Sequence, residues 1–153
     1  MRNIKYLIFV FGATFLWACQ SSDLEKKIEY FDDGTKKLEY YLKNGKKEGE
    51  VNRYTNKGAL SSVYMFKDGL QDGKTVHYDY EGNLVEVQYF VKGKKQLSDT
   101  IFNKDGSIQL ITEFKDDKKH GFLRKFNEDG KIQFEAKYRM DTLVEVNGKL
   151  VKN

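Results

Sequence analysis

One cysteine, two histidines and a handful of acidic turns are the residues whose types and spacing invite chemistry. Cys19 is the single cysteine of 153 residues. A thiol can serve as a nucleophile, and without a second cysteine this one has no disulfide partner. His77 and His120 stand far apart in the chain, neither inside a ligand-spaced cluster. A zinc site or a nucleophile–base–acid triad needs converging partners, so both are expected as surface histidines. His77 is placed on the solvent phase of its strand, opposite Tyr78, and His120 in a turn from Asp116 to Gly121. Asn103-Lys104-Asp105-Gly106 and Asn127-Glu128-Asp129-Gly130 echo the centre of a calcium loop. Lys115 and Arg139 stand where the closing bidentate glutamate should be, so turn chemistry accounts for both tetrapeptides. The expectation is a chain with no catalytic residue, no metal and no cofactor.

What surrounds Cys19 gives the thiol a purpose. Residues 1–18 combine a basic start at Arg2 and Lys5, an apolar stretch from Tyr6 to Trp17 and a small residue at Ala18. That is the three-part plan of a secretory signal, too short for a permanent membrane-spanning helix. Leu16-Trp17-Ala18-Cys19 resembles the lipobox of bacterial lipoproteins, with Trp17 departing from the usual small or β-branched residue. The resemblance implies cleavage before Cys19, lipid on its thiol and attachment to a membrane of the cell envelope. Multiple acyl chains are what make such attachment stable. Residues 19–26 then form the lipidated cysteine and a polar tether. Ser22-Asp23-Leu24-Glu25 loosely resembles the acidic tags that send some Bacteroidetes-type lipoproteins to the cell surface.

The elements that must carry any further function repeat. Gly34, Gly58, Gly82, Gly106 and Gly130 recur every 24 residues without an insertion. Gly45, Gly69 and Gly93 form a second series, continued by Asp117 and Asp141; Gly49, Gly73 and Gly121 form a third, with Leu97 as the exception. Two aromatic columns keep step: Tyr30, Tyr54, Tyr78, Phe102 and Phe126, and Leu42, Phe66, Phe90, Phe114 and Tyr138. Self-similarity at a fixed period marks a repeat architecture.

Within a unit, apolar residues alternate, as in Ile108, Leu110, Thr112 and Phe114, and period two predicts strand. Asp33-Gly34 and Asn44-Gly45 are dipeptides of tight hairpin turns. The absence of proline keeps every backbone N–H available for pairing. The predicted fold is all-β: an elongated antiparallel meander of tandem 24-residue hairpins over residues 27–153, about five repeats and ten strands. One face is expected to be apolar and the other wet, with Gln109, Glu113, Gln133, Glu135 and Lys137 on the wet side. Val85, Val87, Tyr89 and Val91 break that rule in the third repeat and predict either cover on both faces or an exposed contact patch.

Tyr41-Leu42-Lys43-Asn44-Gly45-Lys46-Lys47-Glu48-Gly49 and Phe66-Lys67-Asp68-Gly69-Leu70-Gln71-Asp72-Gly73 resemble the repeat core of the MORN-variant proteins labelled YwqK-type antitoxins. The likeness covers roughly residues 26–149; Val51 and Thr75 stand where many members carry tryptophan. It implies a meandering sheet that binds or scaffolds, without family catalytic residues. Removing two basic residues with the leader leaves 25 basic against 23 acidic side chains, and a chain so near neutrality has no net pull towards nucleic acid. The paired lysines, such as Lys36-Lys37 and Lys118-Lys119, alternate with acids and are expected to be solvated, protecting strand edges. The expected function is therefore an envelope scaffold for a protein or glycan, with Tyr54, Phe66, Tyr78, Tyr89 and Phe90 as the contact surface. An envelope immunity protein that binds a toxin is the alternative.

Overall fold

The computed structural model describes residues 24–151. Residues 1–23, with the expected leader and Cys19, lie outside them. All described strands belong to one antiparallel sheet. It opens with β1 (Glu25–Tyr30), followed by β2 (Lys36–Lys43), β3 (Lys46–Lys47) and β4 (Gly49–Tyr54). The second unit supplies β5 (Leu60–Lys67), β6 (Leu70–Gln71) and β7 (Gly73–Tyr78). The third and fourth add β8 (Leu84–Val91), β9 (Lys94–Phe102), β10 (Ile108–Lys115) and β11 (Lys118–Phe126). The last runs through β12 (Ile132–Arg139), β13 (Thr142–Val146) and β14 (Lys149–Leu150).

The expected meander is present: each strand pairs with its chain neighbours, with β3 and β4 forming two halves of one rung and β6 and β7 another. Both breaks fall before a third-series glycine, Gly49 or Gly73, each at positive φ. Leu97 takes the same conformation without being glycine, at φ 60°. The count exceeds ten because β1 precedes the first complete unit, β14 follows the last and the two broken rungs are split.

The two series of turn glycines do different work. At Phe31–Thr35 only Gly34 has positive φ, and Phe31 N–H donates to the Thr35 carbonyl at 2.8 Å. That is a type I turn closed by a glycine bulge. At Asn44-Gly45 both residues have positive φ, the two-residue type I′ turn whose twist suits a hairpin.

The turn bulge is followed by a register shift that corrects the expected division into one apolar and one wet face. His77 lies opposite Glu86, but Tyr78 lies opposite Leu84, so the strand after the turn holds an extra residue, Val85. The same shift recurs at Arg53/Tyr54 and Lys125/Phe126. Directly opposed residues share a face, so Leu84 joins Tyr78 on one side while Glu86 joins His77 on the other. The 30–126 aromatic column consequently lies on the face opposite the 42–138 column. Ile108 likewise faces away from Leu110. Glu113, Glu135 and Lys137 do share the side expected to be wet, but Val63, Val87 and Ile111 share it with them.

Among the described residues nothing covers either face, and the only apolar side chains that count as buried are Val51, Val87 and Ala136. Cross-strand pairs and the hydrogen-bond ladder, rather than an enclosed core, must therefore hold the sheet. Backbone bonds also clip the later type I′ turns to the preceding unit: Gly69 N–H to the Lys47 carbonyl, Gly93 to Gln71, Asp117 to Lys95 and Asp141 to Lys119, at 2.8–3.0 Å.

Candidate functional site

We call the face carrying Phe66 and Phe90 face A, and the other face B. The expected contact surface divides between them. Phe66 and Phe90 lie on face A; Tyr54, Tyr78 and Tyr89 lie on face B. No single flat ligand can touch all five.

On face A, lysines lean over the aromatic column. Lys47 Nζ sits 5.4 Å from the Phe66 ring centroid, Lys95 4.8 Å from Phe114, and Lys119 5.2 Å from Tyr138. Each lysine begins a return strand and reaches the ring of the next unit. Such contacts contribute about 0.5–1 kcal/mol each at exposed sites. Gln71 occupies the lysine position opposite Phe66, and its amide donates instead to Thr75 Oγ1 at 2.6 Å.

Gln71 borders a polar inset in the middle of face A. The Ser62 hydroxyl and His77 Nδ1 are 2.9 Å apart, and the His77 ring meets Tyr64 edge-on at 5.7 Å between centroids. Glu86 lies across the ladder from His77 and accepts from Gln88 Nε2 at 2.6 Å. Lys95 Nζ is 2.7 Å from Asp99 Oδ2. Burial pushes the Glu86 carboxyl above its usual range, and a hydrogen bond to Asp99, which only a protonated acid can donate, pushes it the same way. Asp99 Oδ1 is enclosed without a hydrogen-bond partner, while its Oδ2 is held by Lys95.

His77 thus belongs to the aromatic face, correcting its expected solvent placement. It does face away from Tyr78, but the register shift puts Tyr78 on face B. Serine, histidine and glutamate in sequence across three strands suggest a nucleophile and base, yet Ser62 is only 5% exposed, leaving little room for a substrate carbonyl at its Oγ. His120 is also displaced from expectation: the turn comprises only Asp116 and Asp117, and His120 lies within β11, half-buried, with its Nδ1 enclosed and unpartnered.

Apolar alternation along single strands does not reveal the inset. Comparison between repeats exposes it. Glu86 stands where Leu110 stands one unit later, and Asp99 where Leu123 does. Two carboxylates replacing two leucines on one face are a signal of specialised surface.

The acidic turns are explained by their own bonds. Ser107 N–H donates to Asp105 Oδ1 at 2.9 Å, and Asn103 N–H to the Ser107 carbonyl at 2.8 Å. Among the described residues no group of three or more histidine, cysteine, aspartate or glutamate side chains converges as a metal site, and no helix is long and apolar enough to cross a membrane.

Together these features define a tandem β-hairpin repeat protein built on one open sheet. No protein-family model matches the chain, and no curated protein matches it significantly.

Proposed function

We propose that this is an exported lipoprotein with MORN-variant, YwqK-like repeats, fixed to the cell envelope through Cys19 and using its sheet as a non-catalytic scaffold for a protein or glycan. The observation that carries the scaffold reading is the open sheet itself: both faces present aromatic rows, and no second layer of described residues consumes either. In most sheet domains such rows are covered by helices or another sheet. Exposed apolar surface in a repeat array is the usual material of recognition. The lipobox-like run and the preceding apolar stretch support the anchor.

The division of the aromatic residues between two faces makes the test specific. Affinity capture from detergent-solubilised envelope is performed with Phe66 and Phe90 replaced by serine, and separately with Tyr54, Tyr78 and Tyr89 replaced. Loss of the same partner in one set, with retention in the other, supports scaffolding and identifies the face. Undiminished recovery with both sets removes the proposed contact surfaces.

A further inference from the structure

Face A carries a second feature, in its first two units, that neither aromatic column explains. An open groove of about 270 Å³ has Val51, Tyr64 and Phe66 among its apolar lining, with Lys37, Lys47 and Arg53 around it. Val51 is 2% exposed, so the floor is recessed; Lys37 and Arg53 project into solvent. Among the described residues none of these three cations has a carboxylate within ion-pair distance, although the molecule pairs many of its other charges. No acidic side chain lines the groove. Unpaired cations around a recessed apolar floor are complementary to a ligand with the opposite arrangement.

We propose that this groove binds an extended peptide segment of a protein partner, with two carboxylates and an apolar side chain between them on one side of the segment. This rests on the scaffold reading and names its partner's chemistry. Lys47 pairs with Leu42 and Arg53 with Leu38, so the two cations stand four residues apart along β2, roughly 14 Å at the strand rise, a span matched by about five extended residues. The open shape suits side chains presented by a larger ligand better than a small molecule, which is normally enclosed over most of its surface. A glycan fits poorly: its many hydroxyls need acceptors as well as donors, and apart from the Gln71 amide oxygen and the Tyr64 hydroxyl the lining side chains are cationic or apolar. A flat membrane would reach the rim cations without filling the floor over Val51.

The test is fluorescence polarisation with the intact protein and a labelled, capped five-residue peptide, glutamate at each end, leucine at the centre and serine between, so that both carboxylates and the leucine share one side. Its affinity should exceed those of the glutamine-ended and all-serine-core versions by about tenfold each, and should fall as salt rises. Arg53→Gln should weaken it about fivefold or more, whereas Lys125→Gln, at the equivalent repeat position outside this groove, should leave it unchanged. Arg53 is exposed, so its replacement leaves the sheet folded, as circular dichroism will verify. Equal binding of the glutamine-ended peptide, an equal loss in Lys125→Gln, or tighter binding to oligogalacturonate or anionic vesicles would each overturn the proposal. An envelope partner captured through face A that does not compete with this peptide would sink the groove assignment and leave the scaffold reading standing.

Discussion

Asp117 and Lys95 hold each other twice: Asp117 N–H donates to the Lys95 carbonyl at 3.0 Å, and Asp117 Oδ1 accepts the Lys95 N–H at 2.7 Å. Asp141 and Lys119 repeat the arrangement. In earlier units glycine occupies the turn, and the carboxylate comes from elsewhere. Glu48 accepts the Asp68 N–H, and Asp72 the Lys92 N–H. Later, Gln96 and His120 replace Glu48 and Asp72 in their column, and the aspartates arrive in the turns. The repeats thus exchange the source of the carboxylate while keeping neighbouring units linked by one. Asp117→Ala should cost about 1 kcal/mol or more, because it loses a charge-assisted bond and leaves an alanine at positive φ. Asp117→Asn, which retains the acceptor, should cost less. Urea unfolding of the two variants decides it, and equal losses would refute the role of the carboxyl oxygen.

Leu97 has the opposite problem. Its φ of 60° and 64% exposure give it the backbone strain of a glycine position with little burial in return. Leu97→Gly should stabilise the sheet by about 0.5–1 kcal/mol, the relieved strain exceeding the greater freedom of glycine in the unfolded chain. The urea midpoint should rise with an unchanged slope.

Gly121 cannot be exchanged so freely. At φ 110°, a Cβ there would run into the Glu113 carboxylate, whose Oε2 accepts the Phe122 N–H at 3.0 Å. At Gly45, by contrast, a Cβ would meet nothing within 4 Å. Gly121→Ala should therefore cost about 2 kcal/mol or more and Gly45→Ala about 1. Glu113→Ala should partly rescue the former and leave the latter unaffected; a failure of that selectivity would disprove the clash.

These effects show what the sequence made legible. The strict period, the turn dipeptides and the two aromatic columns led directly to an antiparallel meander. The face assignment failed because every unit contains the same unpaired residue, with Val85 among them. A bulge repeated in every unit leaves the 24-residue spacing intact while reversing the side-chain phase. Glu86 and Asp99 were visible in the sequence, but only a comparison between units shows them replacing leucines. Their proximity depends on pairing between β8 and β9, which spacing alone does not reveal.

Acid should act on two regions of the sheet in opposite directions. Hydrogen bonds from Lys26 and then Lys36 hold Glu39 down at about 2, below its ordinary 4.5. Its contribution is present above about pH 4.5 and is lost as pH falls towards 2. Glu86 is raised by burial and by Asp99, so its charged form opposes folding at neutral pH. That penalty disappears as pH falls through its raised value. Thermal unfolding from pH 3 to 8 should show greatest stability in mildly acid solution. Glu86→Gln should raise stability at pH 7 and reduce the gain on mild acidification; an unchanged profile would contradict the cost assigned to the charged Glu86 carboxyl.

Whether the protein is fixed to a membrane through Cys19 is tested most directly by metabolic labelling with a clickable fatty acid. Cys19→Ser removes the only thiol while leaving the basic start and apolar stretch to which the proposal assigns export. The wild type should take up label and partition into the detergent phase, whereas the variant should carry no label. Equal labelling of the two proteins would contradict the lipoprotein account.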